Sequence, residues 1–398
     1  MKNLFYLLIL AFQFCFSQTS TDSVTPIPVK IFGSNYKDFV VIEKNVFAIT
    51  NGDSLVTWNL ETNYFQFVKK EIATIVKTSK NNIIVGTKKG LILQKNGDVY
   101  EKILNIKRPF YKLLIDKNDA ILTISDRGIH HKNKKNYPYN SKISHPNFGD
   151  YESFNSFAIP DVAYLDHKNL LWLTYDNGEF GQTILFFDLN TRKFFEGEHL
   201  FLESNFNESQ YNEQLQKEYP DKIKKVSEDF LFKFPYNLPI YRPVKGICQD
   251  EQSNFYFSQS LMHFLLSGGI LKYVEVEKDF YKNIDLSNVL ERKKNSSESS
   301  LSFMDVTEYL GPIQYNQYDG KIYYYTDNGF FKVLQNDTGL SKEFIFKPTI
   351  LWKFGLKGSV GYQMNIKKFE FISEKEMVFL TSFNGIGYYD GKSIKYFQ

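Results

Sequence analysis

Between Ile72 and Ile103 the chain alternates short apolar runs with tight polar turns. Thr74-Ile75-Val76-Lys77 has a strand pattern, and Ser79-Lys80-Asn81-Asn82 turns it back. Ile83-Ile84-Val85 is a β-branched run that Gly86–Gly90 breaks. Leu91–Gln94 resumes, Asn96-Gly97-Asp98 turns, and Val99–Ile103 alternates apolar with polar residues. Asn-Gly between alternating runs favours a type I′ hairpin, because both turn positions need positive φ. The pattern predicts four strands joined by three tight turns, one antiparallel sheet. Such a sheet must cover its edges, and packing copies face to face around an axis achieves this.

The same plan recurs. The turn expected between the second and third strands reads Thr50-Asn51-Gly52, Thr87–Gly90, Ser125–Gly128, Tyr175–Gly178, Ser267-Gly268-Gly269, Thr326–Gly329 and Ser382–Gly385. Successive glycines lie 38, 38, 50, 91, 60 and 56 residues apart. The short gaps fit one propeller repeat of roughly 40–50 residues, and the long ones require insertions. The expectation is an all-β, seven-bladed β-propeller. Ser267–Gly269 is the weakest marker, which leaves six or eight blades as alternatives. A two-sheet sandwich with long loops is the competing architecture.

Val162–Phe187 places Leu165-Asp166, Leu171-Trp172-Leu173-Thr174 and Gly178 in a fixed order: strand, Asp, polar turn, apolar-Trp-apolar strand, Thr, Gly. This order resembles the propeller repeats of bacterial two-component-regulator sensor ectodomains. Leu114–Ile124 and Ile322–Gly329 follow it more loosely. The resemblance implies a propeller and a recognition role. The chain departs from that family in carrying no transmembrane helix, kinase or DNA-binding domain, which implies a free-standing accessory or scaffold protein.

The N-terminus has the form of a secretory signal. Lys2 precedes the apolar run Leu4–Phe12, and Cys15-Phe16-Ser17-Gln18 suits cleavage after Ser17. The run is shorter than the ~20 residues of a membrane-spanning helix, and no later segment is long and apolar enough. The expected product is therefore secreted or periplasmic, without a membrane span, and monomeric. Residues 18–37 form a polar leader in which Ile27–Phe32 is a candidate strand for closing the ring, in competition with Ser393–Phe397. Residues 38–398 form one propeller domain. Cys248 is the single cysteine after Ser17, so no intrachain disulfide is available. Apolar residues make up 42% of the chain, enough for a large core, and a net charge of +3 is too small to argue for nucleic acid.

Four stretches interrupt the repeats: about 139–157, 197–239, 284–309 and 347–363. Within the second, Ser209–Phe232 has helix formers, so a short helical insertion is expected between blades four and five. Pro220 divides it. In a propeller, links between blades and turns between strands two and three emerge on one face of the disc. All four stretches fall between blades, and the enlarged turns Asp176–Gln182 and Gln259–Gly269 fall between strands two and three. This face is therefore the expected working surface, since rigid scaffolds carry binding residues on such loops. Candidate ligand-binding residues there are Arg108, Asp161, Asp176, Tyr236, Tyr241, Arg242, Tyr315, Asp327 and Trp352, joined by Tyr362, while Asp161, Asp176, Glu179, Asp305, Glu308 and Asp327 form the pool of carboxylates that catalysis would draw on. They suit a protein or glycan ligand. The alternative is a carbohydrate-active enzyme using paired carboxylates near the axis, although no spacing singles out a pair.

Other motifs carry little. Gly52-Asp53-Ser54-Leu55 spells a serine-esterase signature, but no Asp-x-x-His follows and the last histidine is His263. His130 and His131 are strand neighbours that point to opposite faces and cannot share a metal. No metal-ligand spacing or phosphate loop occurs, so neither metal nor cofactor is expected.

Overall fold

The structure, a computed structural model, describes residues 27–29, 36–131, 135–137, 159–176, 182–196, 242–263, 265–274, 301–336, 339–349, 365–382 and 384–397. Every regular element among them is a strand. The expected signal sequence Met1–Ser17 and the expected helical insertion Ser209–Phe232 lie outside the described residues.

The short strand β1 (Ile27–Val29) comes first. Sheet one is β2 (Tyr36–Ile42), β3 (Asn45–Thr50), β4 (Leu55–Asn59) and β5 (Phe65–Lys69). Sheet two is β6 (Ile72–Lys77), β7 (Ile83–Thr87), β8 (Leu91–Asn96) and β9 (Val99–Asn105). Sheet three is β10 (Lys112–Ile115), β11 (Ile121–Ser125), β12 (Gly128–His131) and β13 (Lys135–Tyr137). Sheet four is β14 (Val162–Leu165), β15 (Leu170–Asp176), β16 (Gln182–Asp188) and β17 (Lys193–Glu196). Sheet five is β18 (Val244–Gln249), β19 (Phe255–His263), β20 (Leu265–Tyr273) and β21 (Leu301–Val306). Sheet six is β22 (Leu310–Asn316), β23 (Lys321–Thr326), β24 (Gly329–Asn336) and β25 (Gly339–Phe346). Sheet seven is β26 (Ile366–Phe371), β27 (Met377–Thr381), β28 (Ile386–Tyr389) and β29 (Ile394–Phe397). Each sheet pairs its strands in chain order. The first strands neighbour one another around a hub, β2 with β6 and β26, β6 with β10, β14 with β18, and β22 with β18 and β26. The protein is a seven-bladed β-propeller.

Its core is divided rather than central. Strand residues alternate between two faces, so Phe39 and Val41 pack toward blade seven, while Val40 between them packs toward blade two. Seven buried apolar clusters result among the described residues, one at each interface between blades. This arrangement excludes the sandwich.

The turn between strands one and two explains the Leu-Asp motif. Oδ1 of Asp116, Asp166 and Asp250 accepts backbone N–H bonds from the residues two and four ahead, at 2.8–3.0 Å. The residue three ahead (Asp119, Asn169 or Ser253) takes positive φ. The second oxygen accepts from the blade itself: His131 Nε2 at 3.1 Å, Trp172 Nε1 at 3.0 Å and Asn254 Nδ2 at 2.9 Å. Trp172 thus fills the interface of blades four and five while its one polar atom is satisfied.

Both ends of the chain close the ring. β29 is the fourth strand of blade seven, and β1 adds to it in parallel as a fifth. Trp58 of blade one packs on Phe397 of blade seven, with ring centroids 5.0 Å apart. At the hub, Lys368 pairs with Asp38 at 2.9 Å and with Glu370 at 3.2 Å, and Lys77 reaches Glu370 at 2.9 Å. Burial disfavours the Lys368 ammonium, but Asp38 and Glu370 outweigh it and hold this amine above the usual lysine range.

Blade five departs from expectation in two places. Gly268 and Gly269 are not a turn between strands; they pair with Ser260 and Gln259 inside a longer ladder that extends to His263↔Leu265. They are glycine because the chain approaches closely: a Cβ on Gly268 would lie 2.3 Å from Glu308 O, and one on Gly269 would lie 2.5 Å from Phe303 Cζ. Leu301–Val306, expected within a link between blades, is the outer strand β21. The chain therefore leaves and re-enters blade five, at Val274 and Leu301, on the face of the strand-one-to-two turns. The long connections are not confined to one face.

Candidate functional site

The linking face, where blade-to-blade links and strand-two-to-three turns emerge, concentrates polar side chains between blades four and five. The local cause is a β-bulge. In β18 the pairing jumps from Val244↔Gln259 to Gly246↔Ser258, leaving Lys245 as the extra residue. A bulge re-aims the side chain it carries, and Lys245 crosses to blade four, where it forms an ion pair with Asp176. Its ammonium also stands 5.1 Å from the Tyr309 ring centroid. Burial pulls the lysine pKa down, but Tyr309 and Asp176 more than offset this, so the ammonium is held above its ordinary range. Inner strands of other blades bulge at the same level, between Tyr36 and Asp38, Ile72 and Thr74, Leu310 and Ile313, and Ile366 and Lys368. In blade one, Asp53 takes both Lys37 and Lys88, whose hydrogen bonds hold its carboxyl below the usual range.

Around Lys245 the partners interlock. Asp161 Oδ2 accepts the Asp176 backbone N–H at 2.7 Å, capping the end of β15. Gln182 donates from Nε2 to Arg242 O and accepts the Val244 N–H, both at 3.0 Å, which fixes the entry into β18. Arg242 Nη1 donates to Gly268 O and to Asp305 Oδ1, both at 2.8 Å. Its guanidinium lies over Phe303, 5.5 Å from the ring centroid. Residues far apart in sequence therefore form one charged mouth.

Three of the residues expected from sequence, Asp161, Asp176 and Arg242, meet here, and Asp305 joins them. Asp327 sits on the same face at the blade-six turn, where Asn365 Nδ2 donates to it at 3.3 Å. Nearby, Glu308 pairs with Lys342 at 2.6 Å. Burial would raise the Glu308 carboxyl, but hydrogen bonding, with Lys342 foremost, lowers it. Arg108 belongs elsewhere, on the link between blades two and three, where its carbonyl crowds Gly90. Tyr315 was misplaced. It lies near the far end of β22 opposite Ile322, beside the Glu251 turn, and so on the opposite face. Burial first, and then Glu251, push its phenol up to about 12. Tyr236, Tyr241, Trp352, Tyr362 and Glu179 lie outside the described residues. Lys245 and Gln182 escaped the sequence analysis. A bulge has no local signature, and Gln182 opens what reads as an ordinary strand.

No group of three or more His, Cys, Asp or Glu side chains suited to a metal occurs among the described residues. No helix among them is long and apolar enough to cross a membrane.

No protein-family model matches the sequence, and a search of curated proteins returns no match. Solved structures resemble the chain at low identity. The Dos1 propeller is 10% identical, with 92% of this chain and 84% of that chain covered and a TM-score of 0.46. The RRP9 WD40 repeats are 8% identical, with 88% of each chain covered and a TM-score of 0.45. The computationally designed Ika8 protein is 9% identical, with 92% of this chain and 86% of that chain covered and a TM-score of 0.43.

Proposed function

We propose that this protein is an exported recognition module that binds a protein or glycan ligand, without chemistry, at the linking-face mouth of blades four and five. The observation that carries this reading is the interlocked set Asp161, Asp176, Lys245 and Arg242–Asp305, held at fixed geometry by rigid strands. Preorganised polar groups on a rigid scaffold bind at low entropic cost. Each of these carboxylates already engages an ammonium, a guanidinium or a backbone N–H, an arrangement suited to orienting a ligand. The resemblance of Val162–Phe187 to sensor-ectodomain repeats supports recognition as the role, and the form of Met1–Ser17 supports export.

The test pairs a glycan array with a pull-down from the native envelope, using wild-type protein, Asp176→Asn and, as an opposite-face control, Asp98→Asn. Wild type and Asp98→Asn are expected to capture the same ligand, and Asp176→Asn to lose it. Capture of nothing, or equal capture by all three, would remove this reading.

A further inference from the structure

Arg242 is held in an unusual way. Both protons of Nη1 are committed, one to Gly268 O and one to Asp305 Oδ1. Its Nε and Nη2 make no hydrogen bond to any described residue. These two atoms form the side-on edge of a guanidinium, the fork that matches a carboxylate with two parallel N–H···O bonds. The side chain is 21% exposed. It is thus a fixed, partly buried cation whose best anion-recognition edge no described residue occupies. The contact over Phe303 and the bond to Gly268 O restrict its motion, so little ordering entropy remains to be lost on binding.

Beside this fork lie two further features of one ligand class. Phe303 is 46% exposed and projects from the same face of β21 as Asp305. β21 is the last strand of its sheet, and no described strand pairs with its outer edge. An exposed edge accepts an added strand through main-chain hydrogen bonds, with neighbouring side chains setting specificity.

The geometry points to β21 as the docking edge for an extended acidic peptide. Its backbone adds to Leu301–Val306, an apolar side chain lies against Phe303, and a carboxylate enters the Nε–Nη2 fork of Arg242. A uronate sugar would satisfy the fork but not the main-chain edge, so the observations favour the peptide. The inference rests on the recognition role proposed above and gives its ligand a chemistry.

The test measures fluorescence anisotropy of the full chain with a short fluorescein-labelled peptide of Val-Thr-Glu-Thr repeats, which puts valine and glutamate on one face of the added strand. Three comparison probes are the glutamine version, a version N-methylated at alternate residues, and labelled trigalacturonate. Saturable binding of the glutamate peptide is expected, weakened by about tenfold or more with glutamine or by Arg242→Lys, which keeps charge but loses the fork. N-methylation should abolish binding by removing main-chain donors, and Lys95→Gln, in the remote strand β8 of blade two, should change nothing. Thermal unfolding of Arg242→Lys checks that it remains folded. Equal binding of the glutamate and glutamine peptides, indifference to Arg242→Lys or to N-methylation, or binding of trigalacturonate alone would each overturn the inference. An envelope ligand that depends on Asp176 but not on Arg242 would overturn it while leaving the recognition role intact.

Discussion

Trp58 tests the closure of the ring. It lies in β4 of blade one, is 1% exposed, and packs against Tyr36 at 5.7 Å and Phe397 at 5.0 Å between ring centroids. Phe397 ends β29, so this contact joins the first complete blade to the last. Replacing Trp58 with alanine removes the largest side chain of that interface, in a site hemmed by Val46, Leu380 and Tyr388. Such a truncation costs about 3–5 kcal/mol, a large part of the 5–15 kcal/mol roughly typical of a folded protein. The indole N–H has no hydrogen-bond partner among the described residues. Phenylalanine would therefore lose some packing but also remove a buried unsatisfied donor, itself a cost of about 1–3 kcal/mol. Trp58→Phe should cost less than about 1.5 kcal/mol. Urea unfolding followed by far-UV circular dichroism gives both values. Combining Trp58→Ala with Phe397→Ala should cost less than the sum of the two, because they share one contact. A cost below about 1 kcal/mol for Trp58→Ala, equal costs for Ala and Phe, or strict additivity with Phe397→Ala would refute the reasoning.

Three further perturbations address other parts of the molecule. His130 is 8% exposed with no hydrogen-bond partner for either ring nitrogen among the described residues, and burial followed by Arg108 lowers its pKa. The unfolded chain takes up this proton near pH 6.5 while the folded one resists it, so the contribution is complete above about pH 6.5 and is lost as pH falls below it. Urea midpoints between about pH 7.5 and pH 5 should fall less for His130→Leu than for wild type. Lys368→Met leaves Asp38 and Glu370 facing each other; with Lys368 35% exposed, the loss should be about 1–2 kcal/mol, below that of a fully buried pair, measured by urea unfolding. Gly269→Ala should cost about 1–3 kcal/mol through its clash with Phe303, whereas Gly52→Ala, whose nearest neighbour would be 3.6 Å away, should stay within about 0.5 kcal/mol.

What was legible in the chain was local. Asn96-Gly97 announced its hairpin, and Asp166 with Trp172 announced a blade, because turn chemistry and alternation are written in adjacent residues. Gly268-Gly269 misled because a glycine required by crowding from Glu308 and Phe303 uses the same letter as one required by a turn. β21 was missed because it follows its partner β20 only after the polar stretch 291–300, and pairing across that distance has no local mark. Tyr315 was assigned to the wrong face because its distance along β22, not its residue type, decides which end it serves. Lys245 became visible only once the register of β18 against β19 was known, since a bulge belongs to a pair of strands.

The most direct test of the account is hydrogen–deuterium exchange on the protein with and without its captured envelope ligand. The account predicts protection at 161–163, 174–176, 242–246 and 301–309, with none at the opposite-face turns 116–120, 166–170 and 250–254. Protection confined to those opposite turns, with the mouth of blades four and five unchanged, would contradict it.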